Sequence, residues 1–183
     1  MPFKNPTELS WQYSPSIKDL PEKLGEWILY PGSFMKKLVE KGAVNPRVHL
    51  IRQNWQFPTL SEKEMLRITK RVYALIREVV IYSPNQKWMY ARSVFPQHTL
   101  TGKERCLARL KNKSLGSVLF KDPNIERSPF EVICLNASMP FHQAISKEMN
   151  VSEENLWARR STFMLKNKAL LLTEVFLPDI NYL

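Results

Sequence analysis

The sequence predicts an α+β protein in which five or six strands form an antiparallel sheet with helices packed on one face. Two hairpins carry this prediction, because each joins two apolar, alternating runs through a short polar turn. The first hairpin pairs Tyr73–Tyr82 with Trp88–Phe95. The second occupies Trp157–Pro178 and turns at Lys166-Asn167-Lys168. Short helical patterns separate the two hairpins along the chain, as is typical of an α+β domain.

The other elements are predicted from residue spacing and from residues that start or end helices. Ser33 is the expected N-cap of the second helix, and Pro31-Gly32 separates this helix from the first. Ser61 with Glu64 three residues later has the pattern of a capping box. The predicted helices cover residues 17–30, 33–42, 61–70, 101–110, 114–120 and 139–150, and two further strands cover 47–55 and 130–135. Residues 1–17 are polar with prolines and aromatics mixed in, which predicts a loosely held N-terminal lead-in.

Composition limits the classes of protein to which the chain can belong. At 183 residues, with 44% hydrophobic residues, it has the size of one globular domain, and we expect a single domain over 1–183. The two cysteines and three histidines are scattered, so the sequence predicts no disulfide framework and no metal site. No apolar run approaches the length that spans a bilayer. These features predict a reduced, cytoplasmic protein without stable membrane insertion.

The formal net charge of +10 is spread along the chain, with no run of five basic residues. Three explanations remain open: a solvated basic surface, attraction of a small anion, and binding of nucleic acid. A dispersed surplus is most often a solvated surface. Nucleic acid ranks last, because only residues 88–95 interleave basic with aromatic side chains, and those aromatics fit a core equally well.

Glu174 is the first candidate functional residue. It lies in the middle of the apolar run 169–177, and strand alternation places it on the same face as Leu172 and Phe176. A carboxylate on such a face costs several kcal/mol unless it is paired, protonated or hydrogen-bonded. Glu174 therefore requires a partner.

Arg77 is the expected counterpart, because it lies on the apolar face of Tyr73–Tyr82, whereas its neighbour Glu78 points to the other side. Two arrangements remain open. Arg77 and Glu174 can bond each other as a buried ion pair, or they can stand on opposite walls of a pocket and hold the two ends of a polar molecule. A second anion-binding group is also expected, since an arginine fork binds a carboxylate through two hydrogen bonds. The candidates for it are Arg92, Arg159 and Arg160.

Four stretches resemble the chorismate pyruvate-lyase family, in order, from about residue 24 to residue 178. They are WILYPGSFMKKLVEKG, IREVVIY with WMYARSVFP, LTGKERCLARLKNKSLGSVLF and LWARRSTFMLKNKALLLTEVFLP. LWARRS followed by LLLTEVFLP is the most specific of these signatures. The stretch 136–155 is longer than in the shortest family members, and we expect it to change a surface helix and not the pocket.

The resemblance implies a six-stranded antiparallel sheet with helical flaps over an internal pocket. It also implies conversion of chorismate to 4-hydroxybenzoate and pyruvate, the first committed step toward ubiquinone, with no metal or organic cofactor. By the matching positions, Arg77 and the backbone amide of Leu115 bind the ring carboxylate. Glu174 and the main chain at Phe34, which Met35 follows, bind the ring hydroxyl.

Residues and resemblance together lead to a mechanistic hypothesis. Arg77 fixes the ring carboxylate, one of the three candidate arginines orients the second carboxylate, and Glu174 relays a proton if burial raises its pKa. Segments 18–41 and 101–120 are the expected flaps, and their closure predicts tight product retention. The expected partners of this monomer are chorismate and 4-hydroxybenzoate, with no nucleic acid.

The leading alternative is a non-catalytic sensor of small aromatic acids, because the same fold serves as an effector-binding module in transcription regulators. About 20 residues precede the first predicted helix, too few for a helix-turn-helix domain. We therefore expect an enzyme, and incubation with chorismate distinguishes the two classes.

Overall fold

The computed structural model describes residues 10–13, 20–69 and 71–183. The strands are β1 Gln12–Tyr13, β2 Arg47–Gln56, β3 Ala74–Ser83, β4 Gln86–Pro96, β5 Glu126–Arg127, β6 Glu131–Asn136, β7 Asn155–Leu165 and β8 Lys168–Phe176. In the described residues they form one eight-stranded sheet in the order β1-β6-β7-β8-β4-β3-β2, and β5 pairs with β7. Every pairing is antiparallel. The predicted α+β class is confirmed, with two unpredicted strands of two residues each, β1 and β5.

The helices are α1 Glu22–Ile28, α2 Phe34–Glu40, α3 Leu60–Met65, α4 Gly116–Leu119 and α5 Pro140–Met149, with 3₁₀ helices at Gly102–Arg109 and Pro178–Tyr182. Ser33 caps α2 as predicted, because its hydroxyl accepts a hydrogen bond from the Lys36 amide at 3.4 Å. None of the described helices is long and apolar enough to cross a membrane. The predicted lead-in, 1–17, lies mostly outside the described residues, although its residues 12–13 form β1.

Helix α3 begins before the predicted capping box. Thr59 is the N-cap: its hydroxyl accepts from the Glu62 amide at 3.3 Å, and the Glu62 carboxylate accepts from the Thr59 amide at 2.8 Å. The predicted box at Ser61 and Glu64 is therefore wrong. Two Ser/Thr-x-x-Glu patterns overlap here, and tertiary contacts favour the earlier one. Glu62 also accepts from Arg92 at 2.7 Å, and the Ser61 hydroxyl accepts a hydrogen bond from Arg160 of β7.

Helices pack on both faces of the sheet and not on one face as predicted, because apolar side chains alternate between the two faces along the central strands. On one face, α1 and α2 pack against β3, β4 and β8 through a cluster that includes Trp27, Leu38, Val79, Met89 and Phe176. On the other face, α5 packs through Ile145 and Met149 against Val80, Tyr90 and Val175. The segment 136–155 supplies α5 and so lies on this second face.

The β7–β8 hairpin has a tighter turn than the sequence predicts. Leu165 pairs with Lys168, so two residues form the turn, and Lys166 adopts a left-handed conformation with φ of 59°. A three-residue turn would shift the register by one position and bring Arg160 opposite Glu174. The observed register instead places Arg159 opposite Glu174. A one-residue shift moves a strand's side chains to the opposite face, so this turn decides which arginine contacts the candidate site.

Candidate active site

Arg77 and Glu174 line the same cavity on one face of the sheet. They lie on β3 and β8, which are separated by β4. Val79 of β3, Ala91 of β4 and Glu174 of β8 lie side by side across the three strands. Arg77 is two residues from Val79 along β3. Strand spacing and rise then put the two Cα atoms about 12 Å apart. The two charged groups face a shared space and do not form the direct ion pair that the sequence left open.

Arg77 is a buried guanidinium with no carboxylate partner among the described residues. It is 1% exposed, and its Nη2 donates to the backbone oxygens of Lys111 at 2.9 Å and Lys113 at 2.8 Å. Its Nε is buried without a hydrogen-bond acceptor. Burial lowers the pKa of Arg77 to about 10, so the side chain stays charged at neutral pH. A buried charge without a counter-ion is costly, which favours binding of an anion here.

The same arginine shapes one wall of the cavity. Lys111, whose carbonyl accepts from Arg77, adopts a left-handed conformation with φ of 49°. The chain between residues 111 and 113 leads directly into Leu115, which lines the cavity and precedes α4. Arg77 therefore orders the segment that carries the Leu115 amide, besides presenting its own free donor.

Glu174 is held in place by two arginines. Its Oε2 accepts from Arg159 Nε at 2.6 Å and from Arg127 Nη2 at 3.1 Å, and its Oε1 accepts from Arg159 Nη2 at 3.1 Å. Burial by itself raises the pKa of the Glu174 carboxyl, but the charges and hydrogen bonds of Arg159 and Arg127 outweigh burial and lower it below its usual range. The condition for a proton relay, a net rise of this pKa, is therefore not met. Glu174 is an ionised hydrogen-bond acceptor at neutral pH.

Arg159 fixes the Glu174 carboxylate through two hydrogen bonds and does not itself line the cavity. It is fully buried, and its Nη1 donates to three backbone carbonyls at the end of α1, those of Trp27, Ile28 and Tyr30. These contacts and Glu174 engage all three nitrogens of Arg159 and leave one Nη2 hydrogen, too few for a two-point bond to a second ligand carboxylate.

Arg92 and Arg160, the other two candidates for a second anion-binding group, lie on the opposite face. Arg92 pairs with Glu62 at 2.7 Å and with Glu78 at 2.6 Å. Arg160 pairs with Glu131 at 2.6 Å. Both line a separate groove between α3 and α5. Glu78 lies there too, which confirms that it points away from Arg77.

Arg127 is the charged residue at the cavity that sequence reasoning missed. It belongs to the two-residue strand β5, pairs with Phe163 of β7 and lines the cavity beside Glu174. The segment around it, PNIERSPF, has no apolar alternation, so no strand pattern marked its position. Only the register with β7 brings it to the site.

Phe34 and Leu115 also line the cavity, on opposite flanking segments. The Phe34 ring packs edge-on against Trp27 and Phe176, with centroid distances of 5.4 Å and 6.1 Å. In the described residues, neither the Phe34 amide nor the Leu115 amide donates a hydrogen bond to another protein group. These two backbone donors and the donors of Arg77 can therefore bind oxygen atoms of a ligand.

The cavity has a volume of about 60 Å³, and most of its lining is apolar. A cavity of about 150 Å³ holds a benzene molecule, so an aromatic ring needs side chains to move before it fits here. Within the described part of the chain, no group of three or more His, Cys, Asp or Glu side chains is close enough to hold a metal ion. The arrangement is suited to binding a small, flat organic anion.

Comparison of structures places this fold beside the effector domains of bacterial regulators. The C-terminal domain of PhnF superposes with a TM-score of 0.58 at 14% identity, covering 78% of this chain and 88% of that one. The effector domain of PhnF from Mycobacterium smegmatis gives 0.54 at 10% identity, covering 81% and 90%. Identities this low support the shared fold and nothing about the ligand.

Comparison of sequences is more specific. A probable chorismate pyruvate-lyase of Nitrosomonas europaea is 33% identical over 175 residues, which cover 96% of this chain and 97% of the relative. The chorismate pyruvate-lyase of Pectobacterium atrosepticum is 32% identical over 173 residues, which cover 93% and 85%. A family model described as chorismate lyase matches residues 5–182. The chain belongs to the chorismate lyase family.

Proposed function

We propose that this protein eliminates pyruvate from chorismate to give 4-hydroxybenzoate, the first committed step toward ubiquinone. The observation that carries the proposal is Arg77, a buried guanidinium without a carboxylate partner in the described residues, which lines an apolar cavity together with Glu174. Chorismate carries a carboxylate on one end of its ring and a hydroxyl on the other. Membership of the chorismate lyase family supports this choice of substrate.

In the proposed complex, Arg77 binds the ring carboxylate through its free donors, and the Leu115 amide adds a second hydrogen bond. Glu174 accepts a hydrogen bond from the ring hydroxyl, and the Phe34 amide donates to the hydroxyl oxygen. The separation of Arg77 from Glu174 across β4 suits a ligand that has its polar groups at the two ends of a ring. Apolar lining residues such as Val79, Leu172 and Phe163 contact the ring between them.

The reaction breaks the carbon–oxygen bond between the ring and the enolpyruvyl group. The ring carbon that bears the hydroxyl loses its hydrogen as a proton, and the departing enol gains a proton at its methylene carbon and becomes pyruvate. The ring becomes aromatic, which supplies the driving force. The protein then needs only to orient the substrate and to stabilise the negative charge that develops on the departing oxygen.

Glu174 acts in this scheme as a positioned acceptor and not as the group that carries the proton. Two arginines keep its pKa below the usual range, so it is a weak base at neutral pH. Orientation of the ring hydroxyl fixes the neighbouring carbon–hydrogen bond relative to the enolpyruvyl group. The proposal includes no metal or organic cofactor.

The proposal is tested by incubating the purified protein with chorismate and following the absorbance of 4-hydroxybenzoate, with pyruvate measured in parallel. We expect equal amounts of both products, and the same rate after treatment with a chelator. Formation of neither product, in a protein that melts cooperatively, would overturn the proposal.

A non-catalytic sensor of aromatic acids is the second candidate, because the buried Arg77 and the apolar cavity would also suit a protein that binds such an acid without converting it. Such a protein binds 4-hydroxybenzoate but leaves chorismate intact. The same incubation, followed by calorimetric titration with 4-hydroxybenzoate, separates the two candidates.

A further inference from the structure

Arg127 is the charged group at the cavity that has no role in the scheme above. Its guanidinium carbon lies 4.3 Å from the centroid of the Phe130 ring and 4.8 Å from that of Phe163. Its side chain is 13% exposed. Two aromatic rings therefore hold a cation at the cavity and largely out of water, where its attraction for an anion is stronger than at the surface.

The bonds that hold Arg127 in place are few, and only one is to a charged group. Nε donates to the Ser161 hydroxyl at 2.8 Å, Nη1 to the Pro31 carbonyl at 3.0 Å, and Nη2 to Glu174 Oε2 at 3.1 Å. That oxygen already accepts from Arg159 at the shorter distance of 2.6 Å. Arg127 therefore donates one longer hydrogen bond to a carboxylate that Arg159 binds with two.

The charges around the cavity do not balance. Arg77, Arg127 and Arg159 are opposed by the single carboxylate of Glu174, which leaves two positive charges in excess in a buried region. Burial and the neighbouring Arg159 lower the pKa of Arg127, Glu174 acts in the opposite direction, and the resulting pKa is about 10. Both cations without a full partner, Arg77 and Arg127, line the cavity. A ligand with two carboxylates supplies the two missing charges.

The cavity volume of about 60 Å³ also bears on Arg127. An aromatic ring needs roughly 150 Å³, so atoms at the cavity must move when a ring enters. Arg127 is a long side chain with few bonds, whereas Arg159 is fixed by Glu174 and by three backbone carbonyls. Movement of the Arg127 guanidinium away from Glu174 enlarges the cavity and leaves Oε2 with one hydrogen bond, from Arg159.

We propose that Arg127 leaves Glu174 when the substrate enters and binds the substrate's second carboxylate, that of the enolpyruvyl group. This inference rests on the proposed function, since it names the residue that holds the remaining charged end of the same substrate. The exchange makes the second acceptor position of Glu174 Oε2 available to the ring hydroxyl, while Arg159 keeps the first. It also turns the guanidinium toward the side of the ring where negative charge develops as the carbon–oxygen bond breaks.

The test compares two ligands that differ in this carboxylate. Chorismate has two carboxylates, and 4-hydroxybenzoate has only the one on the ring. In Arg127→Gln we expect kcat/KM for chorismate to fall by about 10- to 100-fold, the value of a charged hydrogen bond. The inhibition constant of 4-hydroxybenzoate should change by less than about threefold. Arg67→Gln removes the same charge from an exposed position outside the predicted flaps, where the described residues form no ion pair with it, and should leave both quantities unchanged.

A purely structural role for Arg127, which also bonds Pro31 beside α2, predicts a different result. Loosening of that segment would weaken the binding of chorismate and the binding of 4-hydroxybenzoate by similar factors. Equal losses for the two ligands, or kcat/KM within about threefold of wild type, would overturn the proposal. If Arg127→Gln does not fold, Arg127→Lys keeps the charge and the stem, and should show the same selective loss for chorismate, because a lysine cannot bind a carboxylate through two parallel hydrogen bonds.

Failure of the proposed function has a distinct signature. If wild-type protein makes no 4-hydroxybenzoate, chorismate remains intact and its dissociation constant can be measured by calorimetry. Arg127→Gln should then weaken binding of chorismate by about 10- to 100-fold and leave 4-hydroxybenzoate unaffected. Equal affinities in wild type and variant would overturn the assignment of Arg127 independently of turnover.

Discussion

Arg159 and Glu174 face each other directly across β7 and β8 and form a two-point ion pair, with distances of 2.6 Å from Nε to Oε2 and 3.1 Å from Nη2 to Oε1. The remaining donor nitrogen of Arg159 bonds backbone carbonyls at the end of α1. One buried arginine thus ties the sheet to the joint that precedes α2. The orientation of Glu174 is therefore set before any ligand arrives, which is how a preorganised acceptor lowers a reaction barrier.

Substitution of Arg159 should destabilise the protein strongly. Arg159→Met leaves the Glu174 carboxylate buried with only Arg127 as a partner, and removal of one member of a buried ion pair costs about 3–5 kcal/mol. Urea unfolding measures the loss. Lys41→Met, which breaks an exposed pair with Glu26 of 3.0 Å, is the control and should change the free energy of unfolding far less than Arg159→Met. A similar small cost for both variants would show that the Arg159 contacts add little.

Substitution of Glu174 tests whether this carboxylate carries a proton. Glu174→Gln keeps one acceptor oxygen but loses the negative charge and the second oxygen that the arginines hold. We therefore expect kcat to fall by about 10- to 100-fold, with the pH profile of kcat unchanged in shape. The lowered pKa of Glu174 puts its titration below the assay range, so the wild-type profile should have no limb from this group between about pH 5.5 and 8. An acidic limb that is present in wild type and missing in Glu174→Gln would contradict the acceptor role.

Substitution of Arg77 should affect substrate and product alike, in contrast to Arg127. The ring carboxylate is common to chorismate and 4-hydroxybenzoate, so Arg77→Met should raise both KM and the product inhibition constant by about 100-fold. Steady-state kinetics with added 4-hydroxybenzoate measures both. Arg77→Lys restores a charge and should recover part of the loss. A rise in KM for chorismate without a rise in the inhibition constant of 4-hydroxybenzoate would mean that Arg77 binds the enolpyruvyl carboxylate instead.

The ion network on the opposite face predicts acid sensitivity. Burial raises the pKa of the Glu62 carboxyl, but Arg92 and the Thr59 cap outweigh burial and lower it below 4.5. A carboxyl with a lowered folded-state pKa stabilises the protein above about pH 4.5, and the stabilisation is lost as the pH falls through the folded-state value. Glu62→Gln should therefore cost about 1–3 kcal/mol at pH 7, and the difference from wild type should shrink below pH 4.5.

Unfolding in urea at a series of pH values measures this difference. Glu40→Gln, which removes an exposed carboxylate 3.8 Å from Lys36, is the matched control and should show a small effect at every pH. Turnover of chorismate by Glu62→Gln should stay near the wild-type rate at pH 7, since Glu62 lines the groove on the other face. A Glu62→Gln deficit that is constant down to pH 3 would contradict the assignment.

Product release is expected to be slow. The cavity lies between the segment before α2 and the segment before α4, and side chains must move for a ring to pass. We expect 4-hydroxybenzoate to bind with a dissociation constant far below 1 mM and to inhibit turnover as it accumulates. Calorimetric titration and progress curves measure both. Millimolar affinity with linear progress curves would contradict closure over the product.

The sequence alone was sufficient for the elements that rest on local patterns. Alternation in Tyr73–Tyr82 and in the last hairpin predicted strands on an antiparallel sheet, and Ser33 was the correct N-cap of α2. Arg77 and Glu174, which line the same cavity, could be chosen as candidates because each is a single charge on an apolar strand face. The apolar neighbours on the same strand are enough to identify each charge, so no tertiary information was needed.

What depended on tertiary structure was the partner of each charge. The choice between Arg159 and Arg160 depends on whether the β7–β8 turn has two residues or three, and polar turns of either length have similar sequences. The capping box at Thr59 was favoured over Ser61 by contacts with strands distant in sequence. Arg127 sits in a segment without any periodic pattern, and only pairing with β7 brings it beside Glu174.

The physical reason is the same in each case. Burial of an apolar face is encoded every second or every third to fourth residue, so one sequence reveals it. The pKa of a buried carboxyl, by contrast, depends on which cations lie within a few ångströms, and these come from residues far away in the chain. Sequence therefore determined that Glu174 is buried, and the tertiary structure decided that it is ionised.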